Sequence, residues 1–176
     1  MELAFITDAL LRQRIEDSIE YIYTLYEESK QSDKNKLYST ETYRVIILYT
    51  VSIIEAVLFH IYEKRRVILT KVEYKEKEYI RDTYLNSKVK GRIVVAVEKI
   101  TEKTESEISL KELVQFLVKE NVLKVETGER LIDIMKTRNS VHLRQKAGQT
   151  CTIKQVDDAL EFLLYTITHA HRSLKG

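Results

Sequence analysis

The chain of 176 residues contains no proline and no tryptophan, and it has only four glycines and one cysteine. Because proline removes a helical hydrogen-bond donor and clashes with the preceding turn, its absence favours long helices. A single cysteine, Cys151, forms no intrachain disulfide, which favours a reducing compartment. We interpret Cys151 as a small apolar side chain near a helix start. A catalytic thiol needs a basic partner, and the sequence indicates none near Cys151.

A large excess of charge of one sign is also absent. The 29 basic and 27 acidic residues leave a formal net charge of +2, which predicts no strong sequence-independent attraction to nucleic acid, although local basic clusters are compatible with it. Hydrophobic residues make up 44% of the chain, enough for a sizeable core. The length suits one domain, and we predict a single domain over 1–176.

The sequence lacks a long uninterrupted hydrophobic run. The most apolar stretch, 45–61, contains Glu55 and His60 among other polar residues, and it is short for a bilayer span. The first residues carry Glu2, Asp8 and Arg12 and do not have the pattern of a signal peptide. These observations predict a cytoplasmic protein that does not bind membranes.

Apolar residues recur at intervals of three and four over most of the chain, which predicts a mainly α fold of about five helices. The first helix is expected over 3–29 and a very apolar second helix over 39–65, with a polar loop at 29–36 between them. Ser109 with Glu112, and Thr152 with Gln155, form capping-box patterns that predict the starts of two later helices. Another helix is expected from Thr127, after a third helix that reaches about 121 and a connection at 122–126. A loop is expected at 145–150.

The section from 66 to 104 differs from the rest. Residues 67–80 partly alternate between apolar and polar, and residues 92–97 are rich in β-branched side chains. Both features favour a small β-hairpin inserted between helices 2 and 3, with a loop at 84–90 and a solvated turn at 101–107. A helix over 92–100 is the alternative, because Ile93, Val97 and Ile100 also fit the helical period.

The most informative polar residues lie near the end of the fourth helix. Arg138 and His142 are four residues apart, and Asn139 lies beside them. On a continuous helix they share a face with Leu131 and Ile134, where a packing helix would place apolar residues. A buried charge is costly unless it is paired, so this end of the helix either emerges into solvent or faces a polar site or another subunit.

The segment Arg138-Asn139-Ser140-Val141-His142 resembles the motif of the HEPN superfamily, a set of mainly helical domains found in prokaryotic toxin, antiviral and RNA-processing systems. The helix-turn-helix pattern of 110–137 and the apolar segment 53–58 are similar to that family too. Three residues separate Arg138 from His142, whereas the family motif has four to six. The resemblance implies a HEPN-like helical bundle over the whole chain.

The resemblance also implies an activity. Active HEPN domains are metal-independent endoribonucleases in which two copies of the motif form one composite site across a homodimer. Arg138 and His142 would be catalytic, and Asn139 would orient the phosphate or hold His142. Histidine suits proton transfer near neutral pH, and arginine suits the stabilisation of phosphate charge. No cofactor is expected, and the implied partners are RNA and a protein such as an antitoxin.

Three further interpretations remain open from the sequence. Glu55 is a candidate to hold Arg138 in either a catalytic or a structural cluster, and Lys136, Arg144 and Lys146 are candidates for RNA contacts. A non-catalytic dimerisation or interaction module is the alternative to the ribonuclease. No metal site is predicted, because His169 and His171 are two residues apart and lie on different sides of a helix.

Overall fold

The computed structural model describes residues 3–31, 36–65, 68–86, 89–140 and 151–173, with the backbone alone described for 31, 36, 75–86, 89–95, 140 and 173. These residues form five α-helices: Ala9–Gln31 (α1), Lys36–Lys64 (α2), Leu110–Lys119 (α3), Val125–Ser140 (α4) and Ile153–Ser173 (α5). Two antiparallel strands, Thr70–Asn86 (β1) and Val89–Glu102 (β2), lie between α2 and α3 in the chain. The predicted mainly helical fold with a small hairpin insertion is confirmed.

The chain divides into two compact units. The helical unit consists of Met1–Arg66 and Leu110–Gly176, and the hairpin unit consists of Val67–Ser109. The hairpin unit contains β1, β2 and a 3₁₀ turn at Glu105–Glu107. The helices on either side of it therefore belong to one body although they are far apart in sequence.

The core of the helical unit is built around α2, which packs against α1, α3, α4 and α5. Apolar residues occupy most positions of this helix rather than one stripe, so it buries side chains in several directions. The buried set includes Ile46, Ile47, Val51, Ile53, Ile54, Val57, Leu58 and Ile61. Each such side chain contributes about 1.5–3 kcal/mol when it is removed from water, so α2 is the largest single source of apolar burial here.

One helix in the described part of the chain, Leu37–Lys64 within α2, is long and apolar enough to cross a membrane by length and composition. Its most apolar window has a mean hydropathy of 2.0, and 61% of that window is buried within the structure. Core helices pass the same test, so the observation is weak evidence for a membrane span.

Helix α1 begins at Ala9, six residues later than the sequence predicts. The Oδ1 atom of Asp8 accepts hydrogen bonds from the amides of Leu10 at 2.9 Å and Leu11 at 3.0 Å, and this cap fixes the start. Leu3 and Ile6 precede the helix but are buried all the same. Their apolar spacing imitates a further helical turn, which explains why periodicity alone placed the start too early.

The predicted loop at 29–36 was too long at both ends. Residues Ser29, Lys30 and Gln31 complete α1, and Lys36 opens α2. The hydroxyl of Ser29 donates to the carbonyl of Tyr26 at 2.7 Å, which satisfies this buried polar group inside the helix. The polar residues 29–31 therefore belong to the end of a helix, although their composition is typical of a loop.

The connection between α3 and α4 is a compact turn. Helix α3 ends at Lys119, earlier than the expected 121, because Asn121 adopts a left-handed conformation with φ of 56°. The amides of Val122 and Leu123 both donate to the carbonyl of Leu117, at 2.8 and 3.1 Å. This turn lets α4 begin at Val125, two residues before the predicted Thr127.

The strands of the hairpin are longer than the sequence predicts. Within the expected loop at 84–90, residues 84–86 and 89–90 belong to the strands, and Tyr84 pairs with Lys90 and Asn86 with Val89. Gly91 lies inside β2 opposite Thr83. Of the expected turn at 101–107, residues 101–102 end β2 and 105–107 form the 3₁₀ turn. The strands extend into the predicted loop because pairing between them, and not a local residue pattern, sets where they end.

The two strands differ in regularity. Over the paired range β1 has 17 residues and β2 has 14, and the register shifts by one residue at each of three irregularities. All three extra residues therefore belong to β1, while β2 runs without an inserted residue. Bulges of this kind bend and twist the strand that carries them.

Charged side chains close the base of the hairpin unit. Lys71 forms ion pairs with Glu73 and Glu107, and the hydroxyl and amide of Thr104 donate to Glu107. These donors, the Lys71 ammonium first, lower the pKa of Glu107 to about 2. On one face of the ribbon the cross-strand partners Val72 and Ile100 are both exposed.

Candidate functional site

The end of α4 carries the first two residues of the predicted motif. Leu131 is fully buried, Ile134 and Met135 are half-buried, Arg138 is half-buried and Asn139 is exposed. The helix therefore emerges from the core towards its C-terminus, where a cation also interacts favourably with the helix dipole. His142 lies outside the described residues, as do the candidate RNA contacts Arg144 and Lys146 and the predicted loop at 145–150.

Arg138 is held by its neighbour in sequence. Its Nη1 atom donates to the Oδ1 atom of Asn139 at 3.3 Å. The Nε atom is buried and has no hydrogen-bond partner in the part of the chain that the structure describes. An unsatisfied buried donor costs about 1–3 kcal/mol, and such groups are rare enough to require an explanation. An anion bound beside Arg138 would satisfy this donor.

Two predicted supporting residues take other positions. Glu55 lies half-buried on α2, and no ion pair or hydrogen bond between described residues joins it to Arg138. Partial exposure lets water solvate its carboxylate, so a cationic partner is not required. Lys136 is strongly exposed and pairs with Asp133 at 2.7 Å. Exposed pairs of this kind are weak, so Lys136 can exchange this partner for another anion.

A groove of about 250 Å³ runs between α4 and α5 beside the motif. Its polar lining comes from Arg130, Asp133 and Thr137 on α4 and from Gln155 and Asp158 on α5. Ile134 also lines it, and Arg138 follows one helical turn later on the same face. The groove therefore leads along α4 from Arg130 towards Arg138.

Sequence reasoning missed this groove because its two walls are distant in the chain. The signal was nevertheless present as polar residues at helical spacing, at 130, 133 and 137 on α4 and at 155 and 158 on α5. The two carboxylates and one guanidinium give the lining a mixed charge. Such a lining suits a ligand with hydrogen-bond donors, such as a nucleobase edge or a ribose, better than it suits a bare phosphate.

The described histidines of the helical unit have structural contacts. His60 is buried, and its Nε2 atom lies 3.3 Å from the carbonyl of Phe5. His169 contacts the carbonyl of Val122 through Nε2 at 2.5 Å. Among the described residues, no three His, Cys, Asp or Glu side chains lie close enough together to hold a metal ion.

Cys151 lies immediately before α5 and is buried. Burial raises the pKa of its thiol, and the nearby Arg44 guanidinium opposes that shift only in part. A raised pKa leaves little thiolate at neutral pH, so the thiol is a poor nucleophile. This agrees with the interpretation of Cys151 as a packing residue.

Comparison with known proteins identifies no relative of this chain. No protein-family model, no curated protein and no solved structure matches the chain.

Proposed function

We propose that this chain is a HEPN-like helical domain that cleaves RNA without a metal ion, acting as a homodimer of the toxin or antiviral type. The observation that carries the proposal is the state of Arg138 at the end of α4. Its guanidinium is oriented by Asn139 but keeps a buried Nε donor that has no partner among the described residues. A phosphate oxygen would satisfy this donor, and His142 follows four residues later in the chain.

In the proposed reaction His142 acts in proton transfer. As a general base it takes the proton of the ribose 2′-hydroxyl, whose oxygen attacks the adjacent phosphorus. The bond from phosphorus to the 5′-oxygen of the next nucleotide breaks, and that oxygen receives a proton from a general acid such as the second copy's histidine. The products are a 2′,3′-cyclic phosphate and a 5′-hydroxyl, and no metal or oxidant is needed.

Arg138 stabilises charge in this reaction. The phosphate oxygens gain negative charge as the 2′-oxygen attacks, and a fixed guanidinium beside them lowers the barrier. Loss of one such donor typically reduces kcat by about 10²–10³-fold. Asn139, which already accepts a hydrogen bond from Arg138, keeps the guanidinium in place.

The test is RNA cleavage in the presence of EDTA. We expect the protein to cut a single-stranded or structured RNA, and we expect Arg138→Ala and His142→Ala each to lower the rate by at least 100-fold. The same oligonucleotide with a 2′-deoxyribose at the cut site should resist cleavage. Arg12→Ala, which removes an arginine from α1, is the matched control and should cleave normally.

Folding must be checked for each variant by circular dichroism and thermal unfolding. Cleavage that survives His142→Ala, or that requires a divalent ion, would contradict the ribonuclease proposal. Absence of cleavage on all RNAs by the unaltered protein would contradict it too and would favour the second candidate.

The second candidate function is a non-catalytic module that dimerises through the hairpin. The observation that favours this function is the regular edge of β2. Both strands of a two-stranded sheet are edges with unpaired backbone groups. The three extra residues of β1 disturb its edge, whereas β2 is regular. We infer that β2 pairs with β2 of a second copy. Antiparallel pairing about Val95 would place Arg92 of each copy opposite Glu98 of the other, so the register is complementary in charge.

A further inference from the structure

A second cavity lies at the other end of α4. It has a volume of about 510 Å³ and is lined by Lys124, Tyr165, Thr168, His169 and Arg172. Lys124 directly precedes α4, and the other four residues lie in the C-terminal half of α5. Lys124 and Arg138 are 14 residues apart, about 20 Å along a helix, so this cavity is separate from the motif at Arg138.

The aromatic wall of this cavity is fixed in place. The carbonyl of Val122 can only accept a hydrogen bond, so the Nε2 atom of His169 donates to it, at 2.5 Å. The imidazole stacks on the Tyr165 ring, with centroids 5.8 Å apart and planes within 6°. Thr127 donates to the Tyr165 hydroxyl oxygen at 3.3 Å. The hydroxyl proton of Tyr165 is therefore left to donate to a ligand.

Two cations flank this wall. Lys124 and Arg172 are exposed, and neither forms an ion pair within the described ranges. Among the described residues, the lining contains no acidic side chain. The amides at the start of α4 follow directly after Lys124, and helix N-termini favour anions. The cavity therefore combines positive charge, a free hydroxyl donor and a flat aromatic surface.

We propose that this cavity binds the phosphate group of a nucleotide. Lys124 and Arg172 neutralise the phosphate, Tyr165 donates a hydrogen bond to it, and the stacked pair of Tyr165 and His169 lies beside the attached nucleoside. The same chemistry would hold free inorganic phosphate, and the experiment distinguishes these two sources. The proposal does not depend on ribonuclease activity, because none of its residues belongs to the motif on α4.

The experiment is calorimetric titration of the full chain with AMP, adenosine and inorganic phosphate. We expect AMP to bind, adenosine to bind at least tenfold more weakly, and the affinity for AMP to fall as KCl is added. Lys124→Ala and Arg172→Ala should each weaken AMP binding about tenfold, since each removes a charge-assisted hydrogen bond to the phosphate. Arg172→Lys should retain most of the affinity.

Lys111→Ala, on the exposed side of α3, is the matched control and should bind AMP normally. The same titrations in Tyr165→Phe should show a smaller loss, because only the hydroxyl is removed. If inorganic phosphate binds as tightly as AMP, the phosphate site is supported and its ligand is free phosphate. Equal binding of AMP and adenosine, or normal AMP binding by both alanine variants, would overturn the proposal. No binding of AMP or phosphate at 10 mM, a concentration on the order of the weakest useful affinities, would overturn it as well.

Discussion

Gly128 lies where α3 and α4 come into close contact. A Cβ atom at this position would lie 2.8 Å from Cγ2 of Val118 and 3.3 Å from Cγ1 of Val114. Both neighbours are β-branched and stiff at χ1, so neither can swing away easily. Gly128 is therefore needed for close packing, although glycine is a poor helix former.

We expect Gly128→Ala to destabilise the protein by about 1 kcal/mol. Alanine gains about 1 kcal/mol in helix propensity, but overpacking of a closely packed contact costs about 1–3 kcal/mol. The free energy of unfolding in urea measures the difference. In a Val118→Ala background the shorter of the two contacts is removed and only the 3.3 Å approach to Val114 is left, so Gly128→Ala should then be neutral or stabilising. A stabilising effect in both backgrounds would contradict the close approach of the two helices.

Residue types could be predicted from the sequence, but their surroundings could not. The motif at Arg138 was recognisable because arginine is unusual on an apolar helix face. Its half-burial and its bond to Asn139 depend on how α4 leaves the core. Glu55 makes no contact with Arg138 among the described residues, and helical position on α2 gives no information about its distance to α4. His142, which decides the catalytic question, remains a prediction.

The start of α5 is a capping box that the sequence predicted. The Thr152 amide donates a hydrogen bond to the Oε1 atom of Gln155 at 2.9 Å. In return, the Gln155 amide donates to the Thr152 hydroxyl at 3.4 Å. The Gln155 side chain thus satisfies the Thr152 amide, while the Gln155 amide is shared between the Thr152 hydroxyl and the Thr152 carbonyl, which lies 3.1 Å away. Because residues 152–155 are adjacent in sequence, the pattern needs no tertiary information to be recognised.

Replacement of Thr152 by alanine should lower the free energy of unfolding by about 1 kcal/mol, the usual contribution of an N-cap side chain. Thr152→Ser keeps the hydroxyl and should retain most of the stability. In a double-mutant cycle, Thr152→Ala and Gln155→Ala should be coupled rather than additive. Additive effects would indicate that the two side chains act separately.

The ends of the two strands could not be predicted well from the sequence, because they depend on hydrogen-bonded pairing between β1 and β2. Val94, Val95 and Val97 were rightly assigned to a strand, since β-branched side chains favour extended backbone. The ends of that strand are set by the partner, and pairing continues as far as Asn86 with Val89. No local residue pattern marks this limit, because the sequence lacks the Asn-Gly or Asp-Gly pair typical of short hairpins.

At the scale of the whole molecule, the hairpin unit and the helical unit are separate compact bodies. A single two-stranded hairpin is marginally stable on its own in water. Val72, Tyr74, Val97 and Ile100 are all exposed at its base. Pairing of two copies through β2 would give a four-stranded sheet, which is a more stable arrangement than two isolated ribbons.

We expect the protein to form a dimer at micromolar concentration that Glu98→Arg weakens about tenfold. In the proposed register two attractive pairs of about 0.2–1 kcal/mol each would become repulsive. Within the ribbon Glu98 lies opposite Tyr74, so this substitution alters no cross-strand charge pair there. Adding Arg92→Glu should restore the dimer. Sedimentation equilibrium measures the dissociation constant.

Arg12→Glu on α1 changes the charge in the opposite direction and serves as a surface control for the dimer measurement. A protein that stays monomeric at 100 μM, roughly the weak limit for a specific dimer, would exclude the β2 interface. A dimer that the Glu98 variant leaves unchanged would place the contact on another surface. Either result leaves the ribonuclease assay to be judged separately.

The base of the hairpin has a consequence for the order in which the chain folds. The Lys103 amide donates to the Leu69 carbonyl at 2.8 Å, directly outside the paired Thr70 and Glu102. Contacts within a hairpin are local and form within microseconds. Once they form, α2 and α3 are joined by a short tether instead of a long coil. The entropy lost when these helices dock then falls, so early closure of the ribbon should accelerate assembly of the helices.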